Sequence, residues 1–176
     1  MMSSADIHLR AVEPEDLELL YRIENDPSFW RYGSTTVPYS RYALRQYLTQ
    51  TKNDLFADRQ IRFVIEHSDG QALGLADLCN FDPQHLRAEI SLAVLPEHQG
   101  QQVGQMAVER LWDFAVNQHL RQLYAIIAIS NKPATRLFER LGFRPASVLK
   151  DWIRDGECFV DACLWQRLNV RDDCHR

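Results

Sequence analysis

The chain has 176 residues, of which 45% are apolar and 25% charged, so one globular domain with its own core is expected and a disordered or collagen-like chain is excluded. Lys and Arg number 20 against 24 Asp and Glu, a formal net charge of -4 that argues against a dominant nucleic-acid-binding surface. No run reaches the roughly 20 apolar residues of a membrane-spanning helix. Residues 1–6 lack the basic start and apolar stretch of a secretory signal. Cys79, Cys158, Cys163 and Cys174 show no CxxC spacing and read as reduced thiols of a cytoplasmic protein. With His175 the last three fit no zinc finger or ribbon pattern, so no metal is expected. The expectation is a single domain over residues 1–176 with neither nucleic acid nor membrane as partner.

Residues 7–12 alternate apolar and polar and predict a strand. Glu13-Pro14-Glu15-Asp16 opens a helix with carboxylates at the positive end of its dipole, and Asn25-Asp26-Pro27 ends it. Residues 28–39 are aromatic and irregular, and a second helix follows from about Ser40 to Thr51. Residues 62–67 and 72–78 form an antiparallel hairpin around Ser68-Asp69-Gly70-Gln71. After a turn at 81–85, residues 87–95 make a third strand, apolar at Ile90, Leu92 and Val94 and stopped by Pro96. From Val103, steps of three and four residues mark an amphipathic helix. Leu123 to Ile129 reads as a strand buried on both faces. Asn131-Lys132-Pro133 opens a short helix with Ala134, Leu137, Phe138 and Leu141 inward, and Gly142 stops it. Residues 148–153 and 158–165 close as a hairpin around Asp155-Gly156. The order βααβββαβαββ is mixed α/β with one βαβ crossover. Trp152, Phe159 and Trp165 of the last hairpin either pack on the sheet or form an apolar edge for a homo-oligomer.

The stretch most informative about chemistry is Leu95-Pro96-Glu97-His98-Gln99-Gly100-Gln101-Gln102-Val103-Gly104. A strand ends, a glycine-containing loop turns and a helix begins, so unpaired N–H groups and the helix dipole can together hold phosphate oxygens. It is not a P-loop, since no Gly-Lys-Ser/Thr follows. The bland alternative is an ordinary connection whose glycines serve the turn.

Gln99 to Gly104 resembles the acetyl-CoA pyrophosphate loop of the GNAT N-acetyltransferase superfamily, Gln/Arg-x-x-Gly-x-Gly/Ala, with Gln102 where the middle Gly belongs. Residues 131–143, NKPATRLFERLGF, look like the same superfamily's Asn-x-x-Ala…Tyr-x-x-x-Gly-Phe segment, and HLRAVEPEDL resembles its first strand and helix. The resemblance runs over residues 7–168 and is closest to the spermidine and ribosomal-protein acetyltransferase branch. It implies a predominantly antiparallel twisted sheet with a central βαβ crossover and flanking helices. It also implies acetyl transfer from acetyl-CoA to a primary amine (a polyamine, a peptide or protein N-terminus, or a small amine) by direct attack in a ternary complex. A non-catalytic acyl-CoA sensor or scaffold on the same fold is the alternative.

For individual residues, the resemblance places the backbone of Leu92, Ala93 and Val94 along the pantetheine arm. It places the N–H groups of Gln99, Gly100, Gln101, Gln102, Val103, Gly104 and Gln105 on the pyrophosphate. Gln102 weakens that grip if its position needs positive φ. Asn131 contacts the cofactor or caps its helix. Phe138 stands where the related pattern has a tyrosine general acid, so it either lines the cofactor or belongs to the core. Tyr32, Tyr39 and Tyr124 are the alternative acids. Glu89 is the expected catalytic base and Asp77 a substrate contact, the plain alternative being strand carboxylates paired with Arg87 or Arg62. Tyr32 and Tyr39 belong to the expected substrate-covering segment, which contains Arg31 and no carboxylate from Trp30 to Tyr39 and so disfavours a polycation. An acyl-enzyme on Cys79 or Cys158 is disfavoured because no activating histidine is evident.

Overall fold

The computed structural model describes residues 6–30 and 37–170. A strand β1 (Ile7–Ala11) leads through a 3-10 turn at Pro14–Asp16 into helix α1 (Leu17–Glu24), then α2 (Pro27–Trp30), α3 (Arg41–Gln50) and α4 (Leu55–Asp58). Strands β2 (Ile61–His67), β3 (Ala72–Asp82) and β4 (Arg87–Val94) follow, then α5 (Val103–Asn117), β5 (Gln122–Ala128), α6 (Lys132–Arg140), β6 (Arg144–Asp155) and β7 (Cys158–Leu168). The sheet has seven strands in the order β1-β2-β3-β4-β5-β7-β6, antiparallel everywhere except the β4–β5 pair. That one parallel contact is the expected βαβ crossover, carried by α5.

The period-two alternation sends the two sheet faces to different jobs. Ile90 is buried, and Leu92 and Val94 pack beside it on the larger core, which α5 fills with Met106, Ala107, Val108 and Leu111 and α6 with Phe138 and Leu141. The opposite face carries a smaller apolar cluster under α1 and α3, built from Leu20, Ile23, Leu44, Val64 and Leu75. On that second face the same strands present Arg62, Asp77, Glu89 and Tyr124, one residue out of phase with the larger core.

Two expectations shift. The first turn after Pro14 is a tight 3-10 turn rather than α-helix, because Asp16 folds back to accept from the Glu13 N–H (2.8 Å) and from Arg10 (2.7 and 2.8 Å). The turn expected from Phe81 starts later: β3 runs on to Asp82 through an irregularity at Asn80 (φ 50°). Asp82 then closes the turn by accepting from the N–H groups of Gln84 and His85. In the last hairpin Trp165 is core, whereas Trp152 and Phe159 are 57% and 59% exposed.

Candidate active site

Strands β4 and β5 pair over only three rungs, Arg87–Gln122, Ala88–Leu123 and Glu89–Tyr124, although β4 continues to Val94 and β5 to Ala128. Beyond Glu89 and Tyr124 the strands therefore part. The Leu95 N–H is bonded to the Leu73 carbonyl (2.9 Å) on the β3 side. By strand alternation, the backbone polar groups of Ala93 point to β3 and those of Leu92 and Val94 point into the gap. An extended ligand laid in that gap would find strand-like hydrogen-bond partners.

The wide end of the gap meets the loop before α5. Gly100 takes positive φ (76°), and Gln102 is in the left-handed region (φ 66°) as the N-cap of α5. Ser40, Asp54 and Asn131 cap α3, α4 and α6 with their side chains, but no side chain caps α5. Helix geometry leaves the N–H groups of Val103, Gly104 and Gln105 unpaired and aimed outward. The Gln99 side chain donates to the Val94 carbonyl (3.0 Å) and Gln101 to the Glu97 carbonyl (3.1 Å), bracing the loop against the strand end. A Cβ on Gly104 would stand 3.3 Å from Leu92 Cδ2 and 3.5 Å from Leu137 Cδ2, so the missing side chain lets α5 approach β4 and α6. An uncapped helix start beside the open backbone groups of Leu92 and the Val94 N–H fits a diphosphate joined to an amide-bearing arm, which is the shape of acetyl-CoA.

Gln102 is the strained member of this loop, because a non-glycine residue in the left-handed region costs about 1–2 kcal/mol. Gln102→Gly is expected to raise stability by about 1 kcal/mol and to tighten acetyl-CoA binding by preorganising the amides. Denaturant unfolding with a calorimetric titration checks both, and an unchanged midpoint would refute the strain.

At the narrow end, Glu89 is half-buried and its Oε2 accepts from Asn80 Nδ2 (2.8 Å). Tyr124 lies on the facing rung, beside Glu89 across the β4–β5 pair. Burial first, then the Glu89 charge, hold the Tyr124 phenol above its ordinary value, so it keeps its proton at neutral pH. Cys79 sits opposite Glu89 on β3, where burial, then the charges of Glu89 and Asp77, push its thiol up to about 12. A thiol so disposed is a poor nucleophile. Cys158 is exposed in the β6–β7 hairpin.

Asp77 is not open to a ligand in the way Glu89 is. Arg62 donates to both its oxygens (2.7 to 3.1 Å) and to Glu24 (2.8 Å), with the guanidinium 5.6 Å from the Tyr47 ring centre. Burial pushes the Asp77 carboxyl above its ordinary value against the pull of Arg62. Asn131 caps α6, its Oδ1 accepting from the Ala134 N–H (3.2 Å). Phe138 is 5% exposed with its ring edge-on to Phe143, which places it in the core. Tyr39 is 42% exposed and its backbone is tied to the Asn25 side chain, while Tyr32 lies outside the described residues. Asn80 was not singled out from sequence, and only its place across the irregular end of β3 brings it to Glu89.

The family model for the acetyltransferase (GNAT) domain matches residues 6–144. The spermidine N(1)-acetyltransferase of Escherichia coli strain K12 is 31% identical over 150 residues, covering 81% of this chain and 75% of that protein. An N-alpha-acetyltransferase of Saccharolobus solfataricus is 33% identical over 79 residues, 44% of this chain and 46% of that one. Among solved structures, the spermidine N-acetyltransferase of Vibrio cholerae in complex with CoA and spermine superposes with a TM-score of 0.84 at 25% identity, over 93% of this chain and 96% of that one. A dodecameric structure of the Vibrio cholerae enzyme is also similar, at a TM-score of 0.80. The chain belongs to the GNAT acetyltransferase family. It is an N-acetyltransferase whose co-substrate is acetyl-CoA. No helix among the described residues is long and apolar enough to cross a membrane.

Proposed function

We propose that the protein transfers acetyl from acetyl-CoA to a primary amine by direct attack, with Glu89 as base and Tyr124 as the acid that serves the departing thiolate. The observation that carries this reading is the final β4–β5 rung. It brings a carboxylate and a phenol that keeps its proton to facing positions at the point where the strands open. Acetyl-CoA supplies the activated acyl group. Everything else falls to the chain. The amides of Val103 to Gln105 hold the diphosphate, Leu92 and Val94 align the arm, and Glu89 receives a proton from the attacking nitrogen through water. Asn80 anchors the Glu89 carboxylate by donating to its Oε2 (2.8 Å). Tyr124, across the rung from Glu89, gives its proton to sulfur and recovers one from Glu89, so that the proton leaving nitrogen is matched by one arriving on the thiol. That arrangement accounts for a phenylalanine at 138, whose ring has no proton to give. The high thiol pKa of Cys79 supports direct attack over a covalent acyl-enzyme.

The exposed pair Trp152 and Phe159 supports self-association through the β6–β7 hairpin. The catalytic reading is tested by calorimetric titration with acetyl-CoA, followed by thiol release over an amine panel. Binding with turnover of at least one amine is expected. Tight binding with no turnover on any amine would favour the sensor.

A further inference from the structure

A cleft of about 240 Å³ opens on the Glu89 face of the sheet, over the starts of β4 and β5 and the end of β7. Its walls are unusual for an amine site: the carboxamides of Asn80, Gln122 and Gln166, the Tyr124 phenol and the Arg87 guanidinium. Asn80, which donates to the Glu89 carboxylate (2.8 Å), and Tyr124, on the rung facing Glu89, both line this cleft, so it adjoins the carboxylate.

The charge balance in the cleft favours a single cationic head. Glu89, bonded to Asn80 of the cleft wall, supplies one negative charge at its edge. Asp82, the carboxylate of the wall itself, already accepts from Arg87 (3.1 Å) and from the N–H groups of Gln84 and His85 (3.0 and 3.1 Å). Arg87, about half exposed, offsets the Asp82 charge, so the net attraction for a cation is that of Glu89 alone. The glutamines are poised for a different group. Gln166 Nε2 donates to Gln122 Oε1 (2.8 Å), which leaves the Gln122 amide NH2 as donor and the Gln166 Oε1 as acceptor in the same cleft. A peptide bond carries the complementary pair, one C=O and one N–H. A polyammonium chain is donor-only and would leave the Gln122 donors facing other donors.

We propose that this cleft is the second anchor of the acceptor, and that it takes the first peptide group of a chain with a free α-amine in preference to a polyamine. The inference rests on the acetyl-transfer reading above and narrows it. It also suits a single carboxylate base, since an α-amine has an ordinary pKa of about 7.7–8.0 and is partly deprotonated at neutral pH.

The test compares thiol release with alanyl-glycyl-glycinamide and with spermidine at saturating acetyl-CoA. The peptide is expected to exceed spermidine at least about tenfold in kcat/KM. Gln166→Leu, which removes the acceptor and frees Gln122, is expected to lower the peptide-to-spermidine ratio about tenfold. Gln166→Glu, which adds a charge for a second ammonium, is expected to lower it further. The ratio is insensitive to a variant that merely folds less well, because both acceptors then lose activity together. Spermidine matching or beating the peptide on the native protein, or a ratio that neither variant moves, overturns the proposal and leaves acetyl transfer intact. Absence of thiol release with any amine would instead remove the acetyl-transfer reading.

Discussion

Glu89→Gln is expected to lower kcat about 100-fold while the acetyl-CoA dissociation constant changes by less than about twofold. The side chain keeps its size, and the loop proposed to grip the cofactor lies at the opposite end of β4 from Glu89. What changes is polarity. A carboxylate can accept from Asn80 and from the phenol on the facing rung, whereas an amide that keeps its oxygen on Asn80 offers that phenol an NH2. The phenol then faces a donor, and the proposed proton route from nitrogen to sulfur is broken at two points by one substitution. Tyr124→Phe removes only the second point. A thiol pKa near 8.5 makes the thiolate a fair leaving group, so this variant is expected to retain more activity, with kcat down about tenfold. Thiol release under saturating conditions, with a separate calorimetric titration, reads both. Native turnover in Glu89→Gln with a confirmed acceptor would remove Glu89 from the chemistry. An equal loss in both variants would mean that the pair acts as one inseparable unit.

The fold was legible because its alternations are local. Ile90, Leu92 and Val94 declare one strand face, the steps from Val103 to Leu111 declare one helix face, and Pro96 separates them. The loop was legible for the same reason, since a strand, a glycine turn and a helix start lie within ten residues. Three features of the site were not. Asn80 reaches Glu89 only because β3 is irregular between Cys79 and Asp82, a distortion that no residue type in that stretch announces. Tyr124 could not be ranked above Tyr39 from sequence, because its value lies in the β4–β5 register, which pairs residues 35 positions apart. Asp77 and Glu89 look alike as strand carboxylates two rungs apart, yet Arg62 from the neighbouring strand engages one and leaves the other. In each case the decisive contact is between strands, where sequence distance carries no information about spatial distance.

The position where sequence reading saw least is Gly74, and Gly74→Ala is expected to be the most damaging small substitution in the sheet. Gly74 is buried and faces Val94 in the β3–β4 register. A Cβ built there would stand 2.2 Å from the Ala93 carbonyl oxygen and 3.0 Å from Val94 Cα. Both neighbours are backbone, so no side-chain rotation relieves the overlap and the strands must separate. A loss of about 3 kcal/mol is expected, the upper end of ordinary overpacking. Gly70→Ala serves as the control. That residue takes positive φ in the β2–β3 turn with nothing within 4 Å of its added carbon, so it bears only a conformational penalty of about 1 kcal/mol. The Gly74 variant should also lose cofactor affinity in whatever fraction folds. Pushing β4 away from β3 moves Leu92 and Val94 toward β5 and narrows the gap that the pantetheine arm would enter. Denaturant midpoints of both variants, with calorimetry on the folded Gly74 variant, separate the two effects. If Gly74→Ala is no less stable than Gly70→Ala, the close approach of β3 to β4 is not what holds the gap open.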